Sequence, residues 1–200
     1  MAYVAGFIVH VRPSAGQVTV EPSAPPAPGN DLFASAVPAP PGTFDLTTDS
    51  LGADGQCPAG FKTSSVCFQA HLSHSLPRSI ANVFAQVVAV TDPVSQQSPE
   101  NVGALNYDPA EFGLQPVRGL WKYTAAASTS RGVLGQAPDE AGVRTWVFAN
   151  AAHADVDLTV RVVASLGHPQ YLFDSSNEPF VDACAGGQIL GQPASSQAPL

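Results

Sequence analysis

Five apolar runs of strand length, lying between residues 65 and 164, set the limits on what this chain can fold into. They read SVCFQAHLS at Ser65–Ser73, ANVFAQVVAV at Ala81–Val90, VRGLWKYT at Val117–Thr124, VRTWVFAN at Val143–Asn150 and VDLTVRVVA at Val156–Ala164. Each run is short, rich in β-branched and aromatic residues, and bounded by turn formers. No apolar 3.6-residue period extends beyond about three turns. The pattern predicts an all-β protein, an antiparallel β-sandwich of the immunoglobulin-like or jelly-roll kind.

Alternation within the runs assigns faces. Val66, Phe68, Ala70 and Leu72 share one side, with Gln69, His71 and Ser73 on the other. Val156, Leu158, Val160 and Val162 alternate with Asp157, Thr159 and Arg161, the pattern of a strand with one wetted face. Ala81–Val90 is apolar on both sides and predicts a central strand covered on both faces. Aromatic residues gather in the later runs, with Trp121 and Tyr123 on one face and Trp146 and Phe148 on another. Such residues pack the space between two sheets. The functional alternative is that Trp121, Tyr123 and Trp146 form an exposed platform for sugar rings. Thr91–Gly113, with its Asn106-Tyr107-Asp108-Pro109, reads as a long polar excursion that binds something or makes contacts.

Composition shifts sharply at the N-terminal end. Residues 1–21 hold two short strand patterns, Tyr3–Arg12 and Gln17–Glu21, joined by PSAG, a hairpin signature. Residues 22–42 carry Pro22, Pro25, Pro26, Pro28, Pro38, Pro40 and Pro41, which predict an extended arm. The sandwich domain is expected over 43–187, beginning with a strand at Thr43–Thr48, and 188–200 is a polar tail. Two placements are open for the first strand. It adds to its own sheet, or it serves as an assembly strand, with Tyr3, Phe7, Val9 and Val11 docking on a neighbouring subunit. On the second reading, removal of residues 1–29 leaves a soluble, folded core that no longer associates. Met1–Val11 lacks the basic flank of a signal peptide and is too short to span a bilayer.

The chain has 3 cysteines. Cys57 and Cys67 flank CPAGFKTSSVC, where Pro58 and Gly60 favour a turn that brings the pair within bridging range. A Cys57–Cys67 disulfide is the expectation, with two buried thiols as the alternative. The status of Cys184 stays open: buried and free, or paired with another chain.

Charge excludes some partners. Only 12% of residues are charged, about half the usual share, and 16 acidic residues face 8 basic ones. Nucleic acid and anionic membrane surfaces both need clustered cations that this chain lacks, so no nucleic-acid partner and no membrane insertion are expected. No nucleophile elbow, HExxH, Walker or dinucleotide motif occurs. His71 and His74 fall on opposite faces of one strand and cannot share a metal while extended. Asp49 and Asp54 sit in an acidic loop whose spacing matches no EF-hand and reads as a solvated turn. No catalytic residue, metal or cofactor is assigned, and the chain is not expected to be an enzyme.

The segments GLWKYT (Gly119–Thr124), GVLGQ (Gly132–Gln136), RTWVFAN (Arg144–Asn150), LTVRVVA (Leu158–Ala164) and DACAGG (Asp182–Gly187) resemble secreted β-sandwich domains of myxobacteria-type exported proteins. The resemblance spans roughly residues 44–187. It implies a sandwich fold and export, and no activity. The functional expectation is a non-enzymatic, extracellular or cell-surface structural protein, the subunit of a self-assembling filament, coat or surface layer. Its partners are then copies of itself or other surface proteins. The alternative is a carbohydrate- or protein-binding module of a larger exported protein.

Overall fold

The first two strands form because apolar alternation runs up to a turn that glycine makes possible. The computed structural model describes residues 2–26, 36–75, 81–108, 118–123, 132–133, 142–165, 181–182 and 188–189. Strand β1 (Ala2–Arg12) passes through a single 3-10 turn at Pro13–Ala15 into β2 (Gln17–Ser23). Gly16 closes that turn at φ 63°, a left-handed conformation that other residues reach only with strain. The chain continues through β3 (Val37–Pro38), β4 (Phe44–Thr48), β5 (Gly52–Ala53), β6 (Ser65–His74) and β7 (Ala81–Thr91). Then follow β8 (Val102–Ala104), β9 (Gly119–Tyr123), β10 (Gly132–Val133), β11 (Val143–Asn150) and β12 (Val156–Ser165). A separate pair, β13 (Val181–Asp182) and β14 (Gln188–Ile189), comes last.

Two sheets face each other. The first runs β2-β1-β12-β7-β9, with β3 beside β1; the second runs β10-β6-β11-β8, with β4 and β5 on β6. Every pairing is antiparallel except β3 with β1. Three of the long pairings are nested, while β7 also pairs with β12 within the first sheet. β1 pairs with β12, β6 with β11, and β7 with β9, so outer strands enclose inner ones along the chain. One core fills the space between, drawing Phe7 and Val9 from β1, Val66 and Phe68 from β6, and Leu158 and Val160 from β12. The all-β, two-sheet expectation therefore holds.

The N-terminal hairpin belongs to this sandwich. β1 lies between β2 and β12, in register from Ala2↔Ser165 to Val11↔Val156. Phe7, Val9 and Val11 are 3%, 0% and 1% exposed, and Tyr3 packs at the margin of the same core. The assembly-strand expectation for Tyr3, Phe7, Val9 and Val11 is thus corrected. β1 carries the alternating apolar face that the first sheet needs, and β12 takes up its backbone groups. The hairpin of β1 and β2 and the strands after residue 43 share one core.

The proline-rich stretch is described at both ends. After Ser23 the chain crosses over β1 at Gly6, where a Cβ would collide with the Ala24 carbonyl. It returns as β3 on the length of β1 that β2 leaves open, and Ala39 N–H donates to Val4 O at 2.8 Å. Glycine at position 6 is what allows that close crossing. Residues 27–35 lie outside the described residues.

Other expectations resolve locally. β7 is covered on both faces, with Val83, Ala85 and Val87 in the main core and Phe84 and Gln86 buried on the far side. Val4, Phe84, Leu120 and Val163 form a second cluster there. The excursion after Thr91 contains a short strand, β8, that three residues were too few to reveal. Arg144 and Arg161 lie in different sheets. Arg161 is 3% exposed, and its Nε donates to Gln86 Oε1 at 2.8 Å.

Cys57 and Cys67 lie at disulfide distance, sulfurs 2.16 Å and Cα atoms 5.7 Å apart. The loop they close folds over the outer face of the second sheet, where Cys57, Cys67 and Val147 form a buried cluster with Phe61 against it. Cys184 lies outside the described residues. Replacing both Cys57 and Cys67 by Ala is expected to lower unfolding free energy by about 2–3 kcal/mol through the lost ten-residue closure. A urea midpoint unchanged by reductant in the native chain contradicts that expectation.

Candidate functional site

The aromatic residues do not form a surface platform. Trp121, Tyr123 and Trp146 are 0%, 1% and 0% exposed. Trp121 and Trp146 stack across the two sheets with ring centroids 4.3 Å apart and planes 9° apart. Their polar atoms are satisfied internally. Trp146 Nε1 donates to Tyr123 Oη at 3.2 Å, Tyr123 Oη donates to Ala70 O at 3.2 Å, and Trp121 Nε1 donates to Asn106 Oδ1 at 3.3 Å. Burial raises the Tyr123 phenol well above its ordinary pKa, and the Trp146 hydrogen bond only partly offsets it. The platform expectation for Trp121, Tyr123 and Trp146 is corrected: filling a two-sheet core takes all three rings.

Asn106 and Asp108 explain the polar segment beyond β8. Asn106 Nδ2 donates to Thr145 O at 2.7 Å, and its Oδ1 accepts from Val147 N at 2.9 Å. Asp108 accepts Lys122 N–H at 2.7 Å and pairs with Arg144 at 3.1 Å. These residues tie β9 to β11 across the end of the sandwich; their role is structural. Tyr107, between them, and Leu105, just before Asn106, point outward and are 51% and 42% exposed.

The histidines are dispersed. His10 Nδ1 lies 2.8 Å from Asp157, whose carboxylate also holds Arg12 at 2.5 Å. Partial burial pushes the Asp157 pKa up, but the His10 and Arg12 hydrogen bonds outweigh it and hold the carboxyl below its ordinary value. His71 pairs with Asp49 at 3.1 Å and His153 with Asp54 at 3.2 Å. The acidic loop carboxylates are thus engaged with histidine. Among the described residues no group of three His, Cys, Asp or Glu side chains is arranged to hold a metal.

One cleft stands apart. The edge strands of the two sheets, β2 and β4, touch where Thr48 Oγ1 donates to Val18 O at 3.3 Å. Toward Ser23 and Phe44 they diverge and open a cavity of about 630 Å³. One wall is Ala5, Gly6 and Phe7 of β1, with Pro22 and Pro25 of the crossing segment. The other is Pro40 and Pro41 with Phe44 and Asp45 of β4. Ser73, His74 and Ser75, at the end of β6, complete it. His74 is 2% exposed, and burial lowers its pKa below the ordinary imidazole value, favouring the neutral ring. A second, shallower groove of about 570 Å³ lies beside the disulfide and is lined by Asp49, Gln56, Gln69 and Thr145.

In the sequence Ser73, His74 and Ser75 are simply adjacent at the end of an apolar run. Nothing local signals that Pro22–Pro25 and Pro40–Pro41 approach them, because that approach depends on where β2 leaves β1. No helix among the described residues is long and apolar enough to cross a membrane. No family model matches the chain, and comparison with curated proteins and solved structures found no match to it.

Proposed function

We propose that the chain is a non-enzymatic, extracellular jelly-roll module that acts by binding, with the cleft between β1–β2 and β4–β6 as its binding site. The nested order supports a jelly roll over an immunoglobulin-like sandwich. A chain that pairs its first long strand with its last over ten residues is a rolled-up antiparallel ribbon, whereas immunoglobulin sheets group strands as ABED and CFG. The Cys57–Cys67 pair and the resemblance to exported domains support an oxidising, extracellular location.

The observation that carries the binding reading is the cleft itself, a mostly apolar concavity with a few convergent polar groups and a buried histidine. The subunit of a filament, coat or surface layer is the second reading. It rests on Leu105 and Tyr107, exposed beside β8, the edge strand of the second sheet. Sedimentation velocity across a wide concentration range separates the two. A binding module sediments as one species throughout. Concentration-dependent growth that Leu105→Lys with Tyr107→Lys abolishes would instead establish assembly through the β8 edge.

A further inference from the structure

We infer that the cleft takes a neutral, hydroxyl-rich ligand, a short stretch of uncharged carbohydrate; this rests on the binding reading above. Charge is the first filter. Among the described residues no lysine or arginine lines the cleft, the one lining carboxylate is Asp45, and His74 is held toward its neutral form. An anionic ligand would meet Asp45 with no compensating cation among the described lining residues, in a chain of formal charge −8. A cationic ligand would find a single exposed carboxylate, too little to offset its desolvation.

Hydrogen-bond polarity is the second filter. The Ser75 hydroxyl donates to Gly42 O at 3.2 Å, and the Ser23 hydroxyl donates to Ala24 O at 3.1 Å. Their hydrogens are engaged, so both oxygens offer lone pairs. Asp45 only accepts. The rim is therefore rich in acceptors and calls for a ligand that donates. An acceptor-only or wholly apolar ligand would leave these groups desolvated and unpaired.

Shape is the third. The rings of Pro22, Pro25, Pro40 and Pro41 give apolar walls of the kind that cover the C–H face of a sugar ring. The volume suits a ligand of a few rings. An extended peptide is disfavoured. Strand addition needs several residues of free edge, and only Phe44 and Asp45 of β4 line the cleft before the Thr48–Val18 contact closes it.

The test uses the full chain on an array of neutral and acidic glycans, followed by NMR titration with the neutral glycan that binds best. Neutral glycans are expected to bind and tetragalacturonate is not. The amides of Gly42, Asp45 and Ser75 should shift. Asp45→Ala should weaken binding about ten- to a hundredfold, the loss of a hydrogen bond to a charged group. Ser75→Trp should abolish it by filling the mouth. Both positions are exposed, and an unchanged circular dichroism spectrum checks that the variants fold. Binding that survives Ser75→Trp places the glycan elsewhere and overturns the inference. If no glycan binds but a proline-rich peptide shifts the same amides, the carbohydrate inference falls and the binding reading stands. If the cleft amides respond to neither probe, both fall.

Discussion

Removal of residues 1–29 is expected to leave a chain with no cooperative unfolding transition. β1 is the inner strand between β2 and β12, and its loss strips one whole edge from β12. Phe7, Val9 and Val11 would leave the core, and each such side chain contributes about 1.5–3 kcal/mol when fully buried. The sum approaches the whole stability of an ordinary domain, about 5–15 kcal/mol, before the unpaired backbone of β12 is counted. Val9→Asp makes the same point with one atom group. It puts a carboxylate where exposure is 0%, with no cation in the cluster around it, and is expected to unfold the chain at neutral pH. Circular dichroism and urea titration of residues 30–200 decide the matter. A soluble truncated chain that melts in a single sharp transition shows β1 to be dispensable to the fold.

Local pattern revealed the strands that pair with near neighbours in the chain and little of how they come together. Alternation in Tyr3–Arg12 and Gln17–Glu21, with PSAG between, contained the hairpin, because turn and register are set within twenty residues. The Cys57–Cys67 spacing contained the loop closure for the same reason. Nothing within either run shows that Ala2 lies opposite Ser165, because long-range register is fixed by packing of the whole sheet. Alternation also assigns two faces to a strand without saying which is wet. Trp121 and Trp146 could be grouped by side, yet their burial depends on a second sheet closing over them. The cleft was the least legible feature. It exists because β2 departs from β1 at Gly6 and because residues 39–43 return beside it, two events separated by a proline-rich stretch with no periodic signal.

Trp146→Ala is expected to cost about 3–5 kcal/mol, enough to leave the fold marginal. The indole is fully buried, stacks on Trp121 at 4.3 Å and tilts against Phe68 at 5.7 Å. Truncation leaves a large void between two sheets whose strands are fixed by ladders on both sides, so little collapse can relieve it. It also removes the donor that reaches Tyr123 Oη, while that phenol stays buried and keeps its own donation to Ala70 O. Trp146→Phe retains most of the volume, loses the donor, and should cost clearly less. A surface platform gives the opposite pattern, with stability nearly unchanged and ligand affinity lost. Urea denaturation of the two variants, read beside glycan binding, therefore separates the roles. A cost below about 1 kcal/mol for Trp146→Ala, within the usual range of surface substitutions, would mean that the ring is not enclosed between the sheets.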